Sequence, residues 1–449
     1  MTALAELLSR DGVLITGSDT GEVFYTDTIL KKLNITPLEG FSPRHIGDDV
    51  DLVIYSTAYN PHTNEELAHA LTLGTPVKSY PEAVGLLTAT KQTLAVCGTH
   101  GKTTTSALLA NTLQGIGASP SAIIGSKIAS WGGSALSGEG KYLVLEADEY
   151  QNKLALYQPF GVILTSVDYD HPDFFPTEES YRQTFKDFVA RIPRHGRLVY
   201  CFDNSDVIDV AHSALATKHS YGFVDGADYQ VVNWEALQEG GYRQRFEVMK
   251  GEESLGIFEL RLAGRHNALN VTAVIALLTE LGFSVEEFRS VLGEFAGTER
   301  RFEYLGERFG ALVYDDYAHH PEELRTTLKT FKELFPERNL WAIFHPHTFT
   351  RTKALLAEFA QSFDDADRVT ILPIYGSARE EQGGVSSEDL VSAINRFIPN
   401  KAELAPPLGE LVTKVEKSMG KQDLIVTLGA GNVWEVSHAL VKKHVIKES

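Results

Sequence analysis

A glycine-rich loop that carries a lysine and a threonine is the feature of this sequence whose chemistry is easiest to identify. The segment TLAVC (93–97) is apolar, GTHGKTTT (98–105) follows it, and a helix-forming run, SALLANTLQ, comes next. This order of strand, glycine loop and helix is that of a phosphate-binding loop, in which backbone N–H groups wrap phosphates. Lys102 would neutralise the terminal phosphates, and the hydroxyl of Thr103 would ligate magnesium. The standard motif has glycine where this chain has Val96, so the loop is a shortened GxxGKT variant supported by the strand and helix around it.

Acidic side chains follow two further apolar runs at the points where the predicted strands end. The acids and the histidine at these ends are Glu146, Asp148, Glu149, Asp168, Asp170 and His171. Any one of them alone is more simply explained as a helix cap or a solvated side chain. Because the carboxyl ends of parallel strands meet at one edge of a sheet, the two acidic ends and the glycine loop together predict a magnesium–nucleotide site. Imidazole is a less usual magnesium ligand than carboxylate, so His171 has weaker support than Glu146.

Apolar runs of strand length, each followed by a helix-length periodic segment, predict the elements that position these side chains. The runs are GVLIT (12–16), DLVIYS (51–56), TLAVC (93–97), YLVLE (142–146), GVILTSV (161–167), RLVYC (197–201), ALVYDD (311–316), LWAIF (340–344), RVTILPI (368–374) and LIVTLG (424–429). Continuous apolar strands that alternate with helices are typical of parallel sheets covered on both faces. Residues 225–262 alternate polar and apolar side chains instead, which predicts a small antiparallel patch. We therefore expect an α/β protein of three domains, at 1–88, 89–299 and 300–449.

The first of these domains begins differently from a doubly wound domain, which opens with a strand and a glycine-rich turn. Here a helix comes first, with Ala3, Leu4, Leu7 and Leu8 on its apolar face, and GVLIT follows it. Either the domain simply starts on a helix, or a first strand and loop are missing because of an upstream start site or a truncation.

Composition excludes several classes of protein. The chain has 449 residues, of which 43% are hydrophobic and 22% charged, so it is neither wholly disordered nor fibrous. It contains no apolar run of about 18 residues and no secretory signal, and its two cysteines, Cys97 and Cys201, suit a reducing cytoplasm. The 41 basic and 60 acidic residues give a net charge of −19, which disfavours nucleic-acid binding.

Eight motifs, in chain order, resemble those of the Mur ligases of peptidoglycan synthesis. They are GTHGKTTT (98–105), EADE (146–149), DHPD (170–173), GRHNALN (264–270), GTERRF (297–302), YDDYAHHP (314–321), HPHTFTRTKAL (345–355) and GAGN (429–432). The resemblance covers nearly the whole chain. It implies a Rossmann-like domain for a UDP-sugar, a central P-loop ATPase domain with a parallel sheet, and a Rossmann-like C-terminal domain that closes over the nucleotide.

Within the family, the chain is most similar to the branch that joins L-alanine to UDP-N-acetylmuramate. Phe185 agrees with this branch, since several other Mur ligases carry a carbamylated lysine at the matching position. The resemblance implies ATP and Mg²⁺ as cofactors, those two molecules as substrates, and no nucleic-acid partner. We also expect a cytoplasmic monomer or weak dimer.

The resemblance also assigns roles to individual residues at the nucleotide. The residues implied for ATP are Gly98, Thr99, His100, Gly101, Lys102, Thr103, Thr104, Asn267, Asn270 and Asp316. Of these, Lys102 would hold the β- and γ-phosphates, Asn267 and Asn270 would contact the adenine, and Asp316 would bind the ribose. By residue type alone, Asn267 is as easily a helix cap.

Metal and substrate roles follow from the same resemblance. Thr103 and Glu146 would ligate one magnesium ion, and His171 a second ion between the γ-phosphate and the acceptor. Arg301 would reach the γ-phosphate, although by itself it could be a surface ion pair. The residues implied for substrates are Ser56 and Thr57 for the UDP-sugar and His347 and Arg351 for the amino acid.

The implied reaction is the activation of a carboxylate. ATP would phosphorylate the lactyl carboxylate of UDP-N-acetylmuramate, and the amine of L-alanine would attack the acyl phosphate. Three alternatives stay open: a murein-recycling ligase that adds a tripeptide, a nucleotide-binding relative without activity, and a dinucleotide oxidoreductase. The last depends on LGAGN (428–432) alone and is weak, because Trp434 replaces the third glycine of that motif.

Overall fold

The computed structural model describes residues 1–20, 27–128, 130–237, 243–376 and 383–442. Its strands form a ten-stranded sheet in the middle of the chain, a six-stranded sheet in the C-terminal part, and two separate two-stranded pairs near the N-terminus. The α/β class predicted from the sequence is confirmed.

The N-terminal part consists of short helices around two short parallel strand pairs. Its helices are α1 (Thr2–Arg10), α2 (Asp27–Lys32), α3 (Glu65–Leu73) and α4 (Tyr80–Thr88), with a 3₁₀ helix at Pro43–His45. Its strands are β1 (Ser18–Asp19), β2 (Leu38–Glu39), β3 (Val53–Tyr55) and β4 (Val77–Ser79). Strand β1 pairs with β2 and β3 pairs with β4, and the two pairs are not joined into one sheet.

The prediction of a strand at GVLIT (12–16) is wrong. These residues have no regular secondary structure, and Leu14 is 93% exposed. A strand needs a hydrogen-bonded neighbour. In this segment, as far as the structure describes it, the first residues that pair with another strand are Ser18 and Asp19 of β1, just beyond GVLIT. The apolar pattern resembles that of a strand, but the pairing that would stabilise a strand there is absent among the described residues.

The central sheet contains the predicted parallel strands and the predicted antiparallel segment. Its strands are β5 (Gln92–Cys97), β6 (Ser121–Ile128), β7 (Gly133–Leu136), β8 (Tyr142–Glu146), β9 (Gly161–Leu164), β10 (Arg197–Cys201), β11 (Thr217–Gly222), β12 (Tyr229–Leu237), β13 (Arg243–Lys250) and β14 (Glu253–Leu260). They lie in the order β14-β13-β12-β11-β10-β9-β5-β8-β6-β7. The strands from β12 to β6 are parallel, whereas β13, β14 and β7 are antiparallel to their neighbours. The antiparallel segment therefore extends the main sheet.

Helices cover the faces of this sheet, which explains why its strands are continuously apolar. They are α5 (Lys102–Gly115), α6 (Glu178–Val189), α7 (Ser205–Ala211), α8 (Arg265–Glu280) and α9 (Val285–Glu294), with a 3₁₀ segment at Tyr150–Leu156. The β5 residues from Leu94 to Cys97 are fully buried, and α8 is buried over most of its length. A strand covered on both faces gains hydrophobic stabilisation from every side chain, so alternation is lost.

The C-terminal sheet has the order β15-β16-β20-β17-β18-β19 and is parallel except for β15. Its strands are β15 (Glu303–Arg308), β16 (Ala311–Asp316), β17 (Asn339–Phe344), β18 (Arg368–Ile371), β19 (Ala402–Leu404) and β20 (Asp423–Leu428). Its helices are α10 (Pro321–Leu334), α11 (Phe349–Ala354), α12 (Leu356–Ala360), α13 (Ser387–Phe397), α14 (Leu408–Ser418) and α15 (Trp434–Lys442). Across the described ranges, every helix is too short or too polar to cross a membrane.

The order of the central strands decides where ligands can bind. After β5 the chain moves to one side of the sheet for β6, β7 and β8, and then to the other side for β9 to β12. Open α/β sheets bind ligands at such a reversal, beyond the carboxyl ends of the strands. The loops after β5, β8 and β9 are therefore expected to form one site.

Candidate active site

A cavity of about 1000 Å³ lies where the three parts of the chain meet. The GTHGKT loop after β5 and the acidic loops after β8 and β9 contribute much of its lining. The N-terminal part adds Thr28 and Tyr80, and the C-terminal part adds His320 and Glu323. The predicted convergence of the motifs at one sheet edge is thus seen in the structure.

The glycines of the GTHGKT loop lie where a side chain would not fit. Gly98 has φ +133°, and a Cβ atom there would lie 2.2 Å from the Thr165 hydroxyl. Gly101 has φ +76°, and a Cβ atom there would lie 2.8 Å from the Asn270 side-chain oxygen. The loop therefore needs glycine both for its backbone conformation and for its close packing.

Lys102 is the first residue of α5, and its ammonium group is held inside the loop. The Nζ atom donates to the carbonyl of Thr99 at 3.0 Å and to the Glu149 carboxylate at 3.0 Å. Burial lowers the pKa of Lys102, but the Glu149 carboxylate and its acidic neighbours raise it more, so the pKa lies above its ordinary value. Lys102 is therefore a cation paired with the Glu149 carboxylate.

Two groups of oxygen and nitrogen ligands lie beside this lysine. In the first group, the Thr103 hydroxyl donates to the Glu146 carboxylate at 2.6 Å, and the Gly125 N–H donates to its other oxygen. In the second group, one ligand atom each from Asp148, Glu149 and His171 lie within 4.8 Å of one another. The structure thus separates Glu146 from His171 and gives His171 two acidic neighbours.

The placement of His171 depends on a strained backbone and an aromatic contact. His171 has φ +56°, and its ring lies 4.5 Å from the Tyr150 ring, centroid to centroid. Among the described non-glycine residues, eleven have positive φ, and six of these lie in segments next to the cavity: Gln151, Asn152, His171, Arg300, Phe302 and Thr348. Such conformations cost about 1–3 kcal/mol each and are concentrated at functional sites.

The junction between the central and C-terminal parts carries two arginines with different surroundings. Arg300 is tied down by Asp315 at 2.8 Å and by the carbonyl oxygens of Gly429 and Gly431. Arg301 lines the cavity, and its Nε atom is buried without a hydrogen-bond partner among the described residues. Arg300 also lines the cavity, so both arginines bring positive charge to the junction.

Asp316, the last residue of β16, accepts hydrogen bonds from backbone groups at this junction. Its carboxylate accepts hydrogen bonds from the backbone N–H groups of Phe302 at 2.7 Å and Ala318 at 2.8 Å. Burial raises the pKa of Asp316 to about 6, although the nearby Arg301 lowers it. The side chain is buried and lies outside the cavity lining, so its ribose-binding role stays a prediction.

Asn267 and Asn270 lie behind the glycine loop on the first turns of α8. The Asn267 amide donates to the Ala263 carbonyl at 2.7 Å, and the Asn270 amide donates to Asn267 at 3.1 Å. Neither residue lines the cavity. Their contact with adenine stays a prediction, whereas the close packing of the Asn270 side chain against Gly101 is visible.

Arg351, predicted to face the amino acid, forms a buried ion pair across the domain junction. Its Nε and Nη2 atoms donate to the two oxygens of Asp170 at 2.9 and 3.1 Å. Both residues are 5% exposed. Burial raises the pKa of Asp170, but Arg351 lowers it more, so the pKa lies well below its ordinary value. The Nη1 atom donates to the His347 carbonyl at 3.4 Å, and Arg351 does not line the cavity, so its contact with the amino acid stays a prediction.

The remaining residues predicted to bind substrates lie outside the cavity lining. The His347 ring stacks on the Tyr375 ring at 5.6 Å, centroid to centroid, beside the cavity. Ser56 and Thr57 follow β3 and do not line the cavity, and the Ser56 hydroxyl accepts from the Ala58 N–H at 3.3 Å. Thr104 is buried in the first turn of α5.

Sequence reasoning missed several residues that line the cavity, above all Lys153 and Glu323. Lys153 forms an ion pair with Asp148 and lies over the Tyr150 ring. Glu323 is the third residue of α10 and accepts from the backbone N–H groups of His319 and His320, which immediately precede the helix. The spacing of Glu323 from the helix start is a capping signal that the sequence does contain.

Comparison with known proteins identifies the family. Three domain models match: the Mur ligase family catalytic domain over residues 1–92, the Mur ligase middle domain over 96–278, and the Mur ligase glutamate ligase domain over 300–431. The UDP-N-acetylmuramate–L-alanine ligase of Desulfitobacterium hafniense is 39% identical over 444 residues, which cover 98% of this chain and 97% of the relative.

Solved structures show the same architecture. The UDP-N-acetylmuramate–alanine ligase MurC from Thermotoga maritima aligns with a TM-score of 0.83 and 26% identity, covering 100% of this chain and 97% of its own. A murein peptide ligase from Psychrobacter arcticus aligns with a TM-score of 0.73 and 24% identity over the same shares of the two chains. The second similarity supports the fold alone.

Proposed function

The chain belongs to the Mur ligase family, and we propose that it is the member that joins L-alanine to the lactyl carboxylate of UDP-N-acetylmuramate, converting ATP to ADP and phosphate. The observation that carries this proposal is the full-length similarity to a relative of that name, together with a phosphate-binding loop that opens onto a cavity shared by all three parts of the chain. The enzyme would act in the synthesis of peptidoglycan precursors.

The phosphates of ATP would bind at the GTHGKT loop. Lys102 would exchange its Glu149 partner for the β- and γ-phosphates, which a cation at the start of a helix is well placed to hold. Arg301, which also lines the cavity and whose Nε atom has no hydrogen-bond partner in the described ranges, would contact the γ-phosphate. The remaining loop residues, Thr99, His100 and Thr104, would shape the loop around the phosphates.

The donor set of the cavity fits Mg²⁺. Seven acidic and five basic side chains line the cavity, so a triphosphate and a carboxylate would be repelled without added cations. Thr103 and Glu146 would hold one ion and His171 a second, with Asp148 and Glu149 close enough to His171 to assist. Bound there, the metal supplies the positive charge that allows the carboxylate to approach the γ-phosphate.

The reaction would consist of two successive displacements. An oxygen of the lactyl carboxylate attacks the γ-phosphorus and ADP leaves, which gives an acyl phosphate. The neutral amine of L-alanine then attacks the acyl carbon, phosphate leaves, and one proton is released as the amide forms. Lys102 and Arg301 would stabilise the negative charge that develops on the transferred phosphoryl group.

The acceptor would enter from the C-terminal side. Asp170 holds Nε and Nη2 of Arg351, so the carboxylate of L-alanine would have to take the Nη1 atom from the His347 carbonyl. The UDP-sugar would enter from the N-terminal side, past Thr28 and Tyr80, with Ser56 and Thr57 further out. We assign the three domains to 1–88, 89–299 and 300–449, and we place the protein in the cytoplasm as a monomer or weak dimer.

The test is phosphate release by the purified 449-residue chain with ATP, magnesium and UDP-N-acetylmuramate, plus either L-alanine or the murein tripeptide. We expect release with L-alanine and a product whose mass equals UDP-N-acetylmuramate plus alanine minus water. Lys102→Met should abolish release, whereas Lys186→Met, a substitution on the surface of α6, should not change it. Release only with the tripeptide would assign the recycling activity instead, and ADP binding without release would indicate a relative that has lost catalysis.

A further inference from the structure

One carboxylate of the C-terminal domain touches the phosphate-binding loop directly. The Glu323 Oε1 atom accepts a hydrogen bond from Nδ1 of His100, the third residue of GTHGKT, at 3.2 Å. The other oxygen, Oε2, accepts from the backbone N–H groups of His319 at 3.0 Å and His320 at 3.2 Å. Glu323 therefore links the first turn of α10 to the loop after β5, across the domain junction.

The His100 residue that Glu323 holds is fixed in the loop at its backbone. Its N–H donates to the Ser166 hydroxyl at 2.9 Å, and its carbonyl accepts from the Thr165 hydroxyl at 2.6 Å. Its ring nitrogen Nε2 lies 3.4 Å from Asp168. The β9 loop thus holds the His100 backbone, Glu323 holds its ring, and Lys102 follows two residues later in the same loop.

The contact between the two side chains is poorly exposed to solvent. The His100 side chain is 19% exposed and that of Glu323 is 11% exposed. Burial raises the pKa of Glu323, but His319, His100 and Arg301 lower it more, so the carboxylate is charged. A charged hydrogen bond with this little solvent contact is stronger than a surface ion pair.

From this geometry we propose that Glu323 is a positioning residue that couples docking of the C-terminal domain to the nucleotide affinity of the GTHGKT loop, by holding the His100 side chain. The inference rests on the function proposed above only in taking that loop as the ATP site. Docking of α10 brings the carboxylate to His100 and fixes the loop, whereas an undocked domain leaves the His100 ring without this partner.

The experiment is a double-mutant cycle on ADP binding, measured by titration calorimetry with magnesium present. Its variants are Glu323→Gln, His100→Asn and the double variant in the full chain. Glutamine at position 323 retains an oxygen for the capping bonds of α10, so it removes the charge and leaves the helix start intact. The neighbouring Glu322→Gln, which lies on the exposed side of the same turn and pairs with Arg325, is the matched control.

We expect Glu323→Gln to weaken ADP binding about tenfold in the parent chain and less than twofold in the His100→Asn background, with Glu322→Gln unchanged. In the ligase assay, Glu323→Gln should raise the KM for ATP and leave the KM for L-alanine within about twofold. Urea unfolding of each variant identifies any loss caused by misfolding, since a helix cap alone would lower stability without moving the ADP cycle.

Equal weakening in both backgrounds, or none in either, would overturn the proposal. Its failure is distinguishable from failure of the ligase function, because ADP binding needs neither the sugar nor the amino acid. If the parent chain has no ligase activity but the cycle is still non-additive, the role proposed for Glu323 stands and the ligase function is rejected. If the ligase is active but the cycle is additive, the ligase function stands and the role proposed for Glu323 is rejected.

Discussion

Replacing Asp170 by asparagine should separate the C-terminal domain from the central domain more than it unfolds either of them. Asp170 and Arg351 are each 5% exposed and share two hydrogen bonds, so the substitution leaves a buried guanidinium without its charge partner. Removal of one member of a buried pair costs about 3–5 kcal/mol. Since each 1.4 kcal/mol is about tenfold in an equilibrium constant, docking should weaken by about 100-fold or more.

The assay is urea unfolding followed through the tryptophans of the C-terminal part, Trp341 and Trp434, and separately through those of the central part. The parent should show closely coupled transitions, and Asp170→Asn should separate them, because a chain of several domains is not obliged to unfold in one step. Asp187→Asn, an exposed acid on α6, is the control and should change stability by less than about 0.5 kcal/mol.

The pH dependence gives an independent check on the same pair. The pKa of Asp170 lies well below its ordinary value of 3.8, because Arg351 outweighs the effect of burial. A carboxyl with a lowered pKa contributes stability that is present above the unfolded value and is lost as the pH falls toward the folded one. The parent should therefore lose docking stability below about pH 4, and Asp170→Asn should lack this loss. A cost below about 1 kcal/mol at pH 7, with the acid slope unchanged, would refute the reasoning.

Three further outcomes follow from the site. Lys102→Met should weaken ADP binding by about 100-fold, because a charged hydrogen-bond donor to phosphate is lost and Glu149 is left unpaired; calorimetry that finds unchanged affinity would contradict this. Gly98→Ala should lower stability by about 2 kcal/mol or more in thermal unfolding, because its Cβ atom would lie 2.2 Å from the Thr165 hydroxyl at a φ of +133°. Burial raises the pKa of Asp316 to about 6, so its contribution to stability is complete below about pH 4 and is lost as the pH rises through 6. In Asp316→Asn, the free energy of unfolding measured in urea should therefore change less with pH across that range. If the pH dependence persists in the variant, other groups cause it.

The features that could be predicted from the sequence are those whose cause is local. The GTHGKT loop, its strand and its helix lie within one short segment, and the rule that parallel strands end at one edge then places Glu146 and Asp170 beside it. GVLIT failed because a strand also needs a partner, which no local pattern specifies. The Glu323–His100 and Arg351–Asp170 contacts join residues 223 and 181 positions apart, and only the docking of two folded domains brings them together.

These two long-range contacts also connect stability with chemistry. Each joins a loop of the central domain that borders the proposed phosphate site to a helix of the C-terminal domain, so contacts between the domains lie beside the groups proposed to react. An acyl phosphate is hydrolysed by water unless the site that forms it is closed. Weakening the Asp170–Arg351 pair should therefore not only slow the ligase but also uncouple it, with more phosphate released per amide formed. A site built from one domain could bind ATP equally well, but it would lack this dependence of water exclusion on the ion pairs at the domain junction.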